Sequence, residues 1–198
     1  MTALLSRRLA SDTRGAAIVE FALIAPVLLI TMMGIFDLGY NMYATSMLQG
    51  AIQKAARDST LEGSAGSEAA LDALVADAVH DIVPGAEMTY ARTAYTSFSD
   101  VRQPEDYTDV DGDGICNNGE PFEDANANGS WDADRGTEGQ GGARDAVLYE
   151  VTISYPRAFP IASLIGQSNQ FTTVAKTVLR NQPYNLQQTS APTTGNCT

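Results

Sequence analysis

The sequence predicts an α+β fold, in which one long N-terminal helix carries a small head made of a second helix and a three- or four-stranded antiparallel sheet. Two observations lead to this prediction. Ala16 to Phe36 is an apolar run of 21 residues with a single charge, Glu20, and apolar residues continue at helical spacing after it. Later in the chain, residues 145–155 alternate apolar and polar side chains with the two-residue period of a half-buried strand.

The apolar run has the length of a membrane span. A helix rises about 1.5 Å per residue, so the run covers roughly 30 Å, which is the thickness of the hydrocarbon core of a bilayer. A cleaved signal peptide has a shorter apolar region of about 7–15 residues. We therefore expect residues 16–37 to remain in the lipid bilayer as an anchor.

The segment before the span, residues 1–15, is a short basic leader. It contains Arg7, Arg8 and Arg14 against one acidic residue, Asp12. Basic residues are enriched on the cytoplasmic side of membrane helices. The leader is therefore predicted to lie in the cytoplasm, and the rest of the chain after the span is predicted to lie outside it.

The composition of the whole chain excludes some function classes. The 198 residues have a net charge of −12 and a pI of about 4.3. Nucleic acid is an improbable partner for such a chain, because binding to phosphates requires clustered Lys and Arg. The two cysteines, Cys116 and Cys197, are too few for a disulfide-built scaffold.

Two helices are predicted from spacing and end residues. Residues 40–55 keep apolar side chains at helical spacing, so the first helix is expected to run over 16–61. A second helix is predicted over Ser67–Val83, with Ser67 as its N-cap and Pro84-Gly85 as its end.

Three segments are predicted as strands, namely Met88–Phe98, Asp145–Tyr155 and Phe171–Leu179. The head is accordingly expected to comprise residues 67–98 and 145–184. The tail, residues 187–198, is composed mainly of Gln, Thr, Ser, Pro and Gly and is predicted to be disordered. In the second strand, one face is apolar throughout, with Val147, Tyr149, Val151, Ile153 and Tyr155.

An acidic insertion, residues 99–140, separates the first two strands. It contains 12 acidic and two basic residues, so most of the negative charge of the chain lies in this segment. From Asp109 onward it consists of two copies of a 15-residue repeat, DVDGDGICNNGEPFE and DANANGSWDADRGTE. A solvated, disordered acidic linker is the alternative interpretation of this composition.

The first copy has the spacing of a twelve-residue calcium loop, with Asp at the first, third and fifth places, Gly at the sixth and Glu at the twelfth. No flanking helices are predicted, so this would be a calcium loop outside an EF-hand helix pair. Calcium takes about six to eight oxygen ligands. The copy would supply them from Asp109, Asp111, Asp113, the Ile115 carbonyl, Asn117 and Glu120.

The second copy is predicted to be a weaker site. Its twelfth place is Arg135, which cannot bind a cation, so Asp134 or Glu138 would have to replace it. Two of its early ligands are uncharged amides. The candidate ligands are Asp124, Asn126, Asn128, the Ser130 carbonyl and Asp132.

Calcium is expected to have a structural role here, because it would hold together a segment whose charges otherwise repel one another. Cys116 and Trp131 stand at the eighth place of their copies, which usually holds an apolar residue. Cys116 therefore fits either a small apolar side chain or one half of a disulfide with Cys197.

Glu20 is the unusual residue of the apolar run. A charged side chain at the bilayer centre costs from about 2.5 to above 10 kcal/mol, although a residue near the helix end can reach the interface. One interpretation is therefore a tolerated interfacial carboxylate. The other interpretation is a carboxylate paired with a cation, because cleavage between Gly15 and Ala16 would create a free α-amine near Glu20.

The segment RGAAIVEFALIAPVLLITMMGIFDLGYNMY resembles the TadE-like pseudopilins of the Tad (type IVb) pilus and secretion system. The similarity lies in a basic residue and a glycine, a V-E-F-A run, a proline and a G-x-x-[DE]-x-G ending. These are Arg14, Gly15, Val19 to Ala22, Pro26, Gly34, Asp37 and Gly39. The ending VLRNQPY is similar more loosely, with Gln182 where the family usually has an acidic residue.

The resemblance implies a pilin-like α+β fold and the role of a minor pseudopilin or assembly factor. A prepilin peptidase would cut between Gly15 and Ala16, and Glu20 would neutralise the new amine when the helix packs against other pilins. It also implies a single-pass protein of the bacterial inner membrane with a periplasmic C-terminus, or a place in an extracellular pilus. The calcium repeat is a departure from the family pattern.

Two other function classes remain. His80 and Asp81 are adjacent, but no Ser or Cys nucleophile is placed with them, so neither an enzyme nor a small-molecule substrate is expected. The alternative to a pseudopilin is a permanently anchored, calcium-dependent adhesion or binding protein that is neither cleaved nor polymerised.

Asp37 is expected to be a polar residue at the outer end of the membrane helix.

Overall fold

The computed structural model describes residues 15–58, 68–159, 161–181 and 192–198. Helix α1 is Ala16–Asp58 and helix α2 is Glu68–His80. Short 3-10 turns lie at Phe98–Asp100 and Ala162–Ile165. The strands are β1 (Glu87–Tyr95), β2 (Pro121–Asp124), β3 (Thr137–Glu138), β4 (Ala146–Pro156), β5 (Gln170–Arg180) and β6 (Thr193–Asn196).

The strands form two antiparallel arrangements. The larger sheet has four strands in the order β3-β1-β4-β5, and β1 pairs with β4 along its whole length, from Glu87 opposite Ser154 to Tyr95 opposite Ala146. The smaller sheet pairs β2 with β6. A long apolar helix, a second helix and a four-stranded antiparallel sheet confirm the predicted α+β class and are consistent with a pilin-like fold.

The alternation of β4 determines which of its faces is buried. All five apolar residues of the predicted face are buried, and Ala146 and Leu148 are buried as well. Because side chains alternate across a strand, this face is available to the core while Glu150, Thr152 and Ser154 remain partly exposed.

The described residues form two compact units. One comprises the described part of Met1–Tyr43 together with Pro156–Phe171, and the other comprises the described parts of Ala44–Tyr155 and Thr172–Thr198. The core of the second unit includes the last turns of α1, one face of α2 and the sheet. Its most deeply buried apolar residues include Leu48, Ile52, Val75, Val147, Val151 and Ile153.

A polar network joins α2 to the sheet. The Asp72 carboxylate on α2 accepts hydrogen bonds from Arg92 on β1 at 2.5 Å and from the Tyr149 hydroxyl on β4 at 2.6 Å. The Arg92 guanidinium lies 4.5 Å from the centre of the Tyr149 ring, and Tyr90 stacks on the same ring at 6.4 Å. One partly buried acid thus bonds the helix to two strands.

The predicted boundaries differ from the observed ones at several points. The predicted N-cap Ser67 and the helix extension over 59–61 lie outside the described residues. Helix α2 ends at His80 rather than Val83, where a tighter i→i−3 bond from Ile82 N–H to Val79 O follows and Gly85 adopts a positive φ of 82°. Strand β1 ends at Tyr95, and the Thr96 and Ser97 hydroxyls directly after it donate to the Asp100 carboxylate.

The prediction of disorder in the tail is wrong for its last residues. Thr193–Asn196 form β6, and Cys197 is joined to Cys116 by a disulfide. Composition suggested disorder because the tail has few apolar residues to bury. Backbone pairing with β2 and a covalent bond order it instead, and neither needs apolar side chains. Residues 187–191 lie outside the described part.

Candidate functional site

Helix α1 presents an apolar surface to its surroundings. Among the described residues it is the one helix long and apolar enough to cross a membrane, and the apolar window is not buried within the protein. The helix begins at Ala16, directly after Gly15, and Glu20 is exposed within its first turns. The three residues named by the cleavage and assembly predictions therefore lie together at the start of the helix.

Asp37, which the sequence predicts as a polar residue at the end of the membrane helix, is buried and paired. It is 4% exposed and accepts hydrogen bonds from Arg157 at 2.5 Å and from the Asn41 side chain at 3.0 Å. Arg157 also lies 5.2 Å from the centre of the Phe171 ring. The connection between β4 and β5 is thus attached to α1 by a buried ion pair, a partner that sequence spacing could not identify.

The first Asp-rich loop brings some of its predicted ligands together. One carboxylate oxygen from each of Asp109, Asp111 and Glu120 lies within 4.8 Å of the others. Glu120 is buried at 3% exposure, while the two aspartates are exposed. Asp113 falls outside this group, and its carboxylate accepts bonds from Ile115 N–H and the Asn117 side chain.

The donor chemistry of this loop fits a hard cation. The Asn117 carbonyl oxygen Oδ1 is shielded from solvent and has no hydrogen-bond partner among the described residues. A buried acceptor without a donor is costly unless an ion or water satisfies it. Carboxylate and amide oxygens are the ligands that Ca²⁺ takes, so Asp109, Asp111, Glu120 and Asn117 are suited to hold one.

The second loop repeats the local bonds of the first. Gly114 N–H donates to Asp109 Oδ2 at 3.0 Å, and Gly129 N–H donates to Asp124 Oδ2 at 2.9 Å. Asp132 accepts from the side chains of Asn126 and Asn128 at 2.8 and 2.6 Å. The sixth-place glycines have φ angles of 78° and 81°, a backbone conformation that favours glycine.

Glu105 is the residue that the sequence prediction missed. It is 1% exposed, and its two carboxylate oxygens accept from Ala125 N–H at 2.8 Å and from Asp132 N–H at 3.0 Å. These donors are the second and ninth residues of the second loop. The carboxylate therefore lies against that loop although Glu105 precedes both copies in sequence.

Glu120 makes the corresponding bonds in the first loop. Its carboxylate accepts from Val110 N–H at 2.5 Å and from Asn117 N–H at 3.3 Å, which are again the second and ninth residues. The backbone agrees, because Glu105 N–H donates to Asp132 O and Glu120 N–H donates to Asn117 O, both at 3.0 Å. Each loop thus has one buried glutamate in an equivalent position.

The two repeats are joined symmetrically around Tyr107 and Phe122, which form an antiparallel bridge. Thr108 N–H donates to Pro121 O at 2.9 Å, and Glu123 N–H donates to Asp106 O at 2.8 Å. Glu105 and Glu120 directly precede these paired segments, so Glu105, which lies before both copies, contacts the second loop, while Glu120 contacts the loop of its own copy.

Arg135 occupies the twelfth place of the second loop and secures the segment that carries Glu105. Its guanidinium donates twice to Pro104 O, at 3.0 and 2.8 Å, and to the Asp106 carboxylate at 2.8 Å. The hydrogen bond to Asp106 raises the pKa of Arg135. Trp131 donates from its ring N–H to Glu105 O at 2.9 Å.

Asp134 and Glu138, the two residues predicted to replace Arg135 as ligands, have other contacts. Asp134 accepts from Tyr95, and Glu138 lies in β3.

The C-terminal strand is attached to both loops. A disulfide joins Cys116, at the eighth place of the first loop, to Cys197, with Cα atoms 5.3 Å apart. Cys197 also exchanges backbone hydrogen bonds with Glu120 O and Gly119 N–H, at 2.8 and 3.0 Å. At the other end of β6, the Thr193 hydroxyl lies 3.3 Å from Asp124 Oδ2.

A signal for Glu105 was present in the sequence. Glu105 precedes Asp109 by the same interval by which Glu120 precedes Asp124, so the 15-residue period extends one glutamate backward. The Nε2 atom of His80 lies 3.1 Å from Ala86 O, a contact that joins the end of α2 to the residue before β1.

The fold and the apolar helix define a class of protein, namely an α+β chain whose N-terminal helix can cross a membrane. Residues 15–57 match the model of the family described as TadE-like protein. The match covers α1 and less than half of the chain. No curated protein and no solved structure matches the chain.

Proposed function

We propose that this chain is a minor pseudopilin or assembly component of a Tad (type IVb) pilus or secretion system. The observation that carries the proposal is the match of residues 15–57 to the TadE-like family model. Helix α1 supports it with an apolar surface that runs from the start of the helix and is not covered within the protein. The protein acts by packing and not by catalysis, and its partners are the bilayer, a prepilin peptidase and other pilins.

Processing is proposed between Gly15 and Ala16. Cleavage there places an α-amine at the beginning of α1, within about one helical turn of Glu20. A carboxylate in hydrocarbon is costly without a cation. A mature chain that packs beside another would therefore satisfy the exposed Glu20 with such an amine, which favours assembly of cleaved over uncleaved helices.

The cleavage proposal is tested on protein from membranes that contain a prepilin peptidase. Intact mass and N-terminal peptide mapping should give a mature chain that starts at Ala16. Glu20→Ala should abolish pilus assembly or secretion while the protein still accumulates. The matched control is Glu87→Ala, which removes an exposed glutamate at the start of β1. A mature N-terminus at another residue would overturn the processing proposal.

We further propose that the two Asp-rich loops hold two calcium ions that stabilise the second unit. Asp109, Asp111, Asn117 and Glu120 would hold the first ion. In the second loop, Asp124, Asn126, Asn128 and Asp132 would hold the other together with Glu105 in place of Arg135. The support is that both buried glutamates accept N–H bonds from the same two loop positions.

The positive charge of calcium would balance the negative charge of these carboxylates. In its absence the acidic groups repel one another at close range, so metal binding is coupled to local folding. Calorimetric titration of the full-length protein in detergent should show saturable calcium binding. Asp111→Ala should weaken it strongly, and Glu123→Gln, which alters an exposed glutamate of β2, should not. Absence of binding at millimolar calcium would end this proposal.

The alternative is a permanently anchored, calcium-dependent adhesion or binding protein. Calcium binding alone supports either function, so the two are distinguished by whether the leader, residues 1–15, is removed. A chain that keeps residues 1–15 in mature membranes, with adhesion lost but pili intact after Glu20→Ala, would favour the alternative.

A further inference from the structure

The connection between β4 and β5, residues 157–169, lies along the C-terminal part of the apolar run of α1. Its contacts with α1 follow the helix in order. Arg157 bonds Asp37, the Phe159 ring lies 6.3 Å from the Phe36 ring, and the Ile161 side chain lies against Gly34, 3.6 Å from where a Cβ would be. Three helical residues correspond to about 4.5 Å along the axis, so the chain passes from the polar end of the helix into the level of the apolar run.

The connection is uncharged beyond the ion pair. Residues 158–166 contain no charged residue. Leu164 is 69% exposed, and Phe36 of α1, whose ring lies beside that of Phe159, is 58% exposed. Exposed apolar side chains thus lie both on the helix and on the connection that contacts it.

Several backbone groups of the connection bond one another. Leu164 N–H donates to Ile161 O at 3.0 Å, and Gln167 N–H donates to Ala162 O at 2.9 Å. At the base, Arg157 N–H donates to Asn169 O at 2.7 Å. Backbone groups that enter a bilayer must find partners within the protein, and this 3-10 turn meets that requirement for several of its groups.

We propose that Phe159 and Ile161–Leu164 form a second membrane contact, which enters the outer interface of the bilayer beside α1. The proposal rests on the membrane anchoring proposed above for α1. Lipid is the occupant because Phe159 and Ile161 contact α1 at Phe36 and Gly34, within the apolar run, and the exposed Leu164 follows in the same turn. The Asp37–Arg157 pair then lies at the polar boundary, where it attaches the connection to the helix.

The test measures the depth of single nitroxide labels on the full-length protein in lipid nanodiscs. Since Cys116 and Cys197 are bridged, a cysteine introduced by substitution is the reactive one. Leu164→Cys is the probe, Leu29→Cys on the exposed face of α1 is the lipid reference, and Asn169→Cys at the base of the connection is the aqueous reference. Collisions with molecular oxygen report lipid, and collisions with a neutral nickel chelate report water.

The ratio of oxygen to nickel collisions at position 164 should lie several-fold above that at 169 and approach that at 29. A ratio equal to that at 169 would overturn the proposal, and so would suppression of both collision rates, which would indicate a protein cover such as a second copy. If position 29 itself reads as aqueous, the anchoring of α1 fails as well. A lipid reading at 29 with an aqueous reading at 164 overturns the membrane contact alone.

Discussion

Glu105 and Glu120 occupy equivalent positions against two neighbouring loops, although Glu105 precedes both copies of the repeat and Glu120 lies within the first. Each is buried and accepts N–H bonds from the second and ninth residues of the loop it contacts. The segments that follow the two glutamates pair with each other, so the two loops are linked through Tyr107 and Phe122.

Replacement of Glu105 should remove one calcium site. In Glu105→Gln an amide N–H₂ would face a backbone N–H in place of a carboxylate oxygen, and hydrogen bonds to charged groups contribute about 1.5–3 kcal/mol each. We expect the calcium stoichiometry of the full-length protein to fall from two ions to one in calorimetric titration. The control is Glu123→Gln. Retention of two sites of unchanged affinity would contradict the role given to Glu105.

Arg135 should act on the same site indirectly. It binds no cation but holds Pro104 and Asp106 on both sides of Glu105. Arg135→Ala should therefore weaken the second site at least tenfold while the first keeps its affinity, and Arg135→Lys should restore part of the loss because one donor remains. Equal weakening of both sites would indicate general unfolding and not loss of positioning.

How much the sequence predicted depended on how local each interaction is. The burial of alternate residues in β4 follows from a two-residue period, and the Asp109, Asp111 and Glu120 group follows from spacing within twelve residues. Arg157 lies 120 residues from its partner Asp37 and left no pattern in the sequence. The order of the tail depends on a disulfide across 81 residues, which composition does not encode.

The disulfide should stabilise the loop pair through the C-terminal strand. Closing a loop of 81 residues lowers the entropy of the unfolded chain, which is worth about 4 kcal/mol in the chain-entropy account. Cys197→Ser should lower the unfolding temperature and weaken calcium binding at the first loop, because Cys197 also pairs with the backbone beside Glu120. The double variant Cys116→Ser, Cys197→Ser should match the single one. An unchanged calcium affinity in both variants would show that β6 does not affect calcium binding at the first loop.

The Asp37–Arg157 pair should show a measurable coupling energy. The Asp37 side chain is 6% exposed and that of Arg157 is 22% exposed, and removal of one partner of a buried pair costs roughly 3–5 kcal/mol when burial is complete. In a cycle of Asp37→Asn, Arg157→Gln and the double variant, the coupling should be about 1–3 kcal/mol. Thermal unfolding in detergent provides the measurement, and strict additivity of the two single changes would contradict a direct pair.

The Asp72 network predicts how stability responds to alkaline pH. Burial, followed by the hydrogen bond to Asp72, raises the pKa of Tyr149, and burial with a hydrogen bond to Asp134 raises the pKa of Tyr95 to about 12. An unfolded tyrosine titrates near pH 10. Since the folded pKa is the higher one, the stabilisation is fully present below about pH 10 and is lost as the pH rises above it.

Tyr149→Phe isolates this contribution. At pH 7 the variant loses the hydrogen bond from Tyr149 to Asp72, which should cost about 1.5–3 kcal/mol because the acceptor is charged. Above roughly pH 10 the unfolded wild type gains stability from ionised tyrosine, while the variant has one tyrosine fewer to ionise. The difference in unfolding free energy should therefore narrow with rising pH. Chemical denaturation at each pH, with calcium held constant, measures this difference. A difference that stays constant between about pH 8 and 11 would show that Tyr149 titrates alike in the folded and unfolded states.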